Sequence, residues 1–243
     1  MKKLIVQVSS VLLCVILACG AMGCSKNVEP IEQSEPATAN VASKETDEPQ
    51  DLEIVESGYW FDEYNDGNYA VIIQNGNMNW AAENVQVKVT GKDDAGQIVG
   101  SDTNKLSLIF PNGKTALCGE TLFEGASTLE FQLINSKKMW TEIDIQQAQL
   151  DQLFFVDAIN ETTNSFGDTT VSGQATNQMD AEIALSTANA VFRDEAGNVL
   201  GGAYTYLDTM TPDSTLPFSI TSIDGVPSHA KVEIYLNCGS LIS

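Results

Sequence analysis

Short runs in which apolar and polar residues alternate, set apart by clusters of turn residues, recur along most of the chain. Leu52-Glu53-Ile54-Val55-Glu56 opens the pattern, and Val85, Val87 and Val89 alternate with Gln86 and Lys88. Leu129-Glu130-Phe131-Gln132-Leu133 repeats it cleanly. A period of two turns one side of a strand inward and leaves the other wet. Tyr69-Ala70-Val71-Ile72-Ile73 is apolar throughout and reads as a strand. Asn65-Asp66-Gly67-Asn68, the polar loop Gln74–Asn79, Lys92–Gly96 and Pro111-Asn112-Gly113 supply turns between these runs. Many short strands with regular turns predict an antiparallel β-sandwich. Lys137 to Leu150 fits the pattern least. Trp140, Ile143 and the run Gln146-Gln147-Ala148-Gln149 could start a short helix or form a strand linking the domains, and the stretch reads as a linker with at most one strand.

The pattern occurs twice. Gly91-Lys92-Asp93-Asp94-Ala95-Gly96-Gln97-Ile98-Val99-Gly100 returns 101 residues later as Phe192-Arg193-Asp194-Glu195-Ala196-Gly197-Asn198-Val199-Leu200-Gly201. The same offset pairs Val55 with Val156, Met78 with Met179, Leu106 with Leu207 and Pro111 with Pro212. Self-similarity at one spacing marks a duplicated unit. The expected fold is all-β, with two tandem Ig-like antiparallel β-sandwich domains at residues 52–147 and 148–243.

The hairpin carries a family likeness. Val89-Thr90-Gly91-Lys92-Asp93 and Ala190-Val191-Phe192-Arg193-Asp194 each precede an Ala-Gly turn and a later Pro. In this the chain resembles FxLYD-type domains of exported bacterial proteins, small Ig-like sandwiches with an aromatic-x-Leu-Tyr-Asp segment before a Gly hairpin. The Asp, Ala-Gly and Pro positions match, and Phe192 stands in the Leu place; the aromatic and Tyr positions differ. The resemblance implies an extracytoplasmic sandwich and brings no catalytic residues with it.

The N-terminus alters the picture. Met1-Lys2-Lys3 is followed by Leu4–Ala18 without a charge, the n-region and h-region of an export signal. Small residues then flank Cys19 and Cys24, and here the chain resembles a bacterial lipoprotein precursor. Cys24, between Gly23 and Ser25, fits best as the lipid attachment site, with Cys19 as the alternative. Residues 1–23 are then the signal peptide. Residues 24–51, rich in Pro, Glu, Ser and Thr and without aromatics, form a disordered acidic tether. Its roughly 27 residues would reach about 30 Å as a flexible chain. The partners expected are the membrane, through the lipid, and an envelope glycan or protein.

Removing Lys2 and Lys3 from 12 basic residues leaves 10 against 33 acidic ones, a net charge of −23. Such a chain repels phosphate backbones, so nucleic acid is not expected as a partner. The folded part holds Cys118 and Cys238 in different repeats; a disulfide would cross between the domains, and two separate thiols is the simpler arrangement.

No catalytic residues, metal site or cofactor are expected. Zinc needs about four converging ligands, and the chain has a single histidine, His229, in a loop after Pro227-Ser228. Asp93/Asp94 and Asp194/Glu195 fall in matching turns, where Asp suits the backbone better than it suits a glycosidase. Asp62 and Asp66 have the acidity of a calcium loop but lack its ligand spacing. An envelope hydrolase built on such pairs is the weakest of the functional readings. The aromatics are more suggestive: Tyr59, Trp60, Phe61, Tyr64, Tyr69 and Trp80 gather in the first copy, against smaller residues at the matching places of the second. Of these, Tyr59, Trp60, Tyr64 and Trp80 are candidates for a platform that stacks on a sugar or anchors a peptide. The leading expectation is a non-enzymatic, lipid-anchored binding or spacer protein of the cell envelope. A carbohydrate- or peptidoglycan-binding module using the first copy's aromatics is the alternative.

Overall fold

In a computed structural model, which describes residues 48–136 and 138–242, each alternating run forms a strand. The signal segment, Cys19, Cys24 and most of the tether lie outside the described residues. The first half contains β1 (Glu53–Phe61), β2 (Gly67–Asn75), β3 (Trp80–Lys92), β4 (Ile98–Ile109), β5 (Gly113–Thr121), β6 (Thr128–Ile134) and the short β7 (Trp140–Glu142). Among the described residues one helix, α1 (Gln147–Leu153), leads into the second half. There follow β8 (Phe154–Thr163), β9 (Thr169–Asn177), β10 (Glu182–Ala184), β11 (Thr187–Arg193), β12 (Val199–Tyr206), β13 (Ser214–Ile223), β14 (Lys231–Asn237) and β15 (Ser240–Ile242). The stretch read as a linker therefore holds a strand paired with β3 and a helix that starts at Gln147.

Both halves share one topology. The first pairs sheet β1-β2-β5 with sheet β4-β3-β6, and the second pairs β8-β9-β13 with β12-β11-β14. Every strand pair is antiparallel. The β3–β4 and β11–β12 hairpins turn alike. Asp93 accepts N–H bonds from Ala95 and Gln97, and Asp194 accepts one from Asn198. Gly96 and Gly197 take the left-handed conformation (φ 75° and 87°) that closes each turn.

The repeat register needs one correction. Asn75 on β2 donates from Nδ2 to the carbonyls of Trp80, Ile109 and Phe110, while its Oδ1 accepts the Asn77 N–H. Asn177 on β9 donates to Ala181, Met210 and Thr211 and accepts from Met179. Asn75 and Asn177 are 102 apart, whereas Asp93 and Asp194 are 101 apart. A single-residue difference thus falls between β9 and β11, and Met179 plays the part of Asn77 rather than Met78. Each buried amide bonds three carbonyls at the end of a sandwich, tying the loop there to the strand that carries it.

The continuous apolar run of β2 records burial on both faces. Tyr69, Val71 and Ile73 enter the first sandwich core with Val85, Val87, Val89 and Leu129. Ala70 and Ile72 face the other way, joining Ala116 and Cys118 of β5 against Val191 and Val199 of the second half. The four sheets therefore stack as layers, β4-β3-β6, β1-β2-β5, β12-β11-β14 and β13-β9-β8, within one compact unit. Small residues let the two middle sheets close. A Cβ on Gly58 would overlap the Val199 carbonyl, and one on Gly202 would meet the Cys118 sulfur. Polar ties cross the same seam: Asn237 Nδ2 donates to the Ala116 carbonyl at 2.9 Å, and the Cys118 N–H donates to Asn189 at 3.1 Å. Arg193 bonds Glu56 of β1 and Glu233 of β14, and the Glu56 bond above all holds its guanidinium protonated.

Candidate functional site

The four candidate aromatics do not form one platform. Tyr59 is half-buried, its ring edge-on to Phe61 at 5.6 Å and 6.4 Å from Phe131, as a rim of the first core. Trp60, 6% exposed, points away from that core and into the second sandwich. There it meets Phe192 edge-on at 5.7 Å, lies over Gly201 and donates Nε1–H to the Asp224 carbonyl at 3.1 Å. Phe123 covers Gly100, the first-half counterpart of Gly201, in the same manner. Trp60 thus fills for the second sandwich the role that Phe123 fills for the first. Its ring serves packing, not a ligand.

Tyr64 and Trp80 sit at opposite ends of β2, about 30 Å apart for a strand of this length. Trp80 begins β3, half-buried, with its carbonyl held by Asn75. Tyr64 stands at the β1–β2 turn and is 70% exposed. Its own N–H and that of Asp66 both donate to Asp62 Oδ1 at 2.9 Å, so Asp62 builds the turn that presents the ring. The turn spans Asp62–Asp66, starting three positions and ending two positions earlier than the Asn-Asp-Gly-Asn pattern suggested, because Asn65 supplies the left-handed residue and Gly67 already belongs to β2. In the corrected register Tyr64 matches Phe166, 89% exposed, whose N–H donates to Asn164 in the same way. The second copy is therefore not bare of aromatics at this turn.

Beside Tyr64 lies a shallow basin lined by Asn65, Asp66, Asp94, Leu122 and Glu124. Leu122, 73% exposed, also forms the rim of a second cavity of about 480 Å³ where the two sandwiches meet. That cleft is not legible in the sequence pattern. Tyr204 and Tyr206 occupy alternate positions of β12 beyond Gly202, where the strand has run past the seam. Their rings stand 5.6 Å apart and nearly perpendicular, 40% and 71% exposed. Asn104, Lys105, Glu120 and Leu185 also line it. Burial, and then the carboxylates of Asp66, Asp62 and Asp224, raise the Glu120 pKa. The signal was the alternation Gly202-Ala203-Tyr204-Thr205-Tyr206, whose matching first-half positions are Thr103 and Lys105.

Other candidate groups have structural work. Among the described residues no three His, Cys, Asp or Glu side chains converge as a metal-holding group. His229, expected in a solvated turn, is instead packed edge-on against Phe192 at 4.9 Å, with Nδ1 on the Pro227 carbonyl and Nε2 facing Glu161 at 3.0 Å. Cys118 and Cys238 are free, buried thiols in separate apolar clusters. Burial pushes the Cys238 thiol up to about 11 and raises Cys118 as well, so both stay protonated and unreactive. Hydrogen bonding from Asn198 keeps Asp194 below the usual carboxylate range, as befits a turn former. No helix among the described residues is long and apolar enough to cross a membrane.

No family model and no curated protein matches the chain. Among solved structures it is similar to a red sea bream transglutaminase, with 7% identity over 73% of this chain and a TM-score of 0.22. It is also similar to the C-terminal globular domain of an oligosaccharyltransferase from Pyrococcus abyssi, with 7% identity over 79% of this chain and a TM-score of 0.24. The chain spans 27% of the first and 48% of the second.

Proposed function

We propose that this protein is a non-catalytic binding module of the bacterial cell envelope, held at the outer face of the membrane by lipid on Cys24, that takes carbohydrate at the turn end of its first sandwich. The observation that carries the reading is Tyr64, an exposed ring carried on a turn that Asp62 closes, beside a basin of amide and carboxylate acceptors. A ring face offers apolar stacking to a sugar, and the acceptors suit its hydroxyls. A lipidated Cys24 with a second acyl chain would hold the chain on the membrane, and the acidic tether would carry the sandwiches clear of it. The duplicated hairpins, like FxLYD-type domains in their Asp-Ala-Gly turn, fit an extracytoplasmic role. Binding without turnover agrees with Asp62, Asp93 and Asp194 being engaged by backbone N–H groups.

The test is co-sedimentation of the purified chain with isolated wall glycan. Saturable binding that drops at least about tenfold in Tyr64→Ala and persists in Trp80→Ala is the expected result. Binding that ignores Tyr64 overturns the assignment, and release of soluble sugar during incubation overturns the non-catalytic part.

A further inference from the structure

Leu122 belongs to two cavities at once. One side of it borders the Tyr64 basin, and the other borders the cleft of Tyr204 and Tyr206. A polymer laid along this line meets an exposed ring at Tyr64, an exposed aliphatic side chain at Leu122 and exposed rings again at Tyr204 and Tyr206. Those contacts come from both halves of the molecule, and the seam of small residues at Gly58 and Gly202 holds the halves together.

Charge narrows the occupant. The basin carries Asp66, Asp94 and Glu124 with no basic side chain. The cleft carries one lysine, Lys105, and one glutamate, Glu120. In a chain of net charge −21, such a lining repels anionic polymers and leaves hydroxyl donors as the natural complement of its carboxylates and amides. Rings spaced along a shallow path suit successive sugar units, each with an apolar face and a polar edge.

Building on the carbohydrate reading above, we infer that the site is a single track running from Tyr64 across Leu122 into the inter-sandwich cleft at Tyr204 and Tyr206, and that its ligand is a neutral glycan chain. The short end at Tyr64 binds one or two units, and the cleft is engaged only by longer chains.

Calorimetric titration of the purified chain with N-acetylglucosamine oligomers of one to six units tests this, with oligogalacturonate of equal length as the anionic control. Affinity should climb by about tenfold or more between the shortest and longest oligomers that bind. Tyr206→Ala should abolish that rise while leaving the affinity for short oligomers within about twofold. Tyr206 is 71% exposed, so an unchanged melting temperature will show that the variant folds. Tyr64→Ala should weaken every length. Flat affinity across lengths, an unchanged rise in Tyr206→Ala, or preference for the anionic oligomer overturns the track and leaves binding at Tyr64 standing. Binding of no oligomer at any length overturns the carbohydrate reading together with the track.

Discussion

Single carboxylates in this chain do opposite things according to their neighbours. Asp62, Asp93 and Asp194 each accept backbone N–H bonds across a tight turn. Asp224 has a different setting: a hydrogen bond with Asp168, then burial and the charges of Asp168, Asp62 and Glu63, raise its pKa. A carboxyl easier to protonate in the folded state stabilises the fold below its unfolded pKa, and that stability is lost as pH rises through the folded pKa. Asp224→Asn should therefore raise the melting temperature at pH 7 and change it little at pH 4. The backbone carbonyl that receives Trp60 is left in place by this substitution. Added salt should shrink the difference at pH 7 by screening Asp62 and Glu63. Thermal melts of both proteins across that range check this; an equal shift at both pH values contradicts it.

The strands were legible because each carries a local signal: alternation for β3 and β6, a continuous apolar run for β2, and Asp-x-Ala-Gly for the two matching hairpins. The short β7 and α1 carry weak periodicity and owe their conformation to pairing with β3 and packing near Phe154, so the local pattern left strand and short helix both open. The one-residue slip between β9 and β11 hid in the polar loops. The shared bonding of Asn75 and Asn177, and of the Asp62 and Asn164 turns, reveals it. Trp60 shows the deeper limit. Position along β1 predicts which way a residue points, but not that the outward side meets another sandwich. Trp60→Ala should cost about 3–5 kcal/mol in a urea titration, the range for deleting a buried aromatic. Hydrogen exchange should then quicken most in β11 and β12, which the indole covers, rather than in β3 and β4. Loss of protection confined to β1 and β2 would show that Trp60 serves only its own half.

At the scale of the whole molecule, four sheets stacked face to face make one body from two copies of a sandwich. Duplication usually leaves domains joined by a linker and free to move. Here Ala70, Ala116, Gly58 and Gly202 allow the inner sheets to approach closely, and Arg193, Asn189 and Asn237 bond across the seam. The consequence is a cleft that neither copy possesses alone, with Tyr204 and Tyr206 on one wall and Leu122 on the rim. The candidate site was half legible for this reason. Tyr64 sits in a turn that the sequence announces, whereas the cleft exists only once the copies are docked. The most direct test is the footprint of a bound N-acetylglucosamine hexamer on the purified chain, read by hydrogen–deuterium exchange. The account predicts slowed exchange at 62–66, around Leu122 and along 203–206, with the Trp80 end unchanged. Protection at Trp80 and β7, or none anywhere at saturating hexamer, would contradict it.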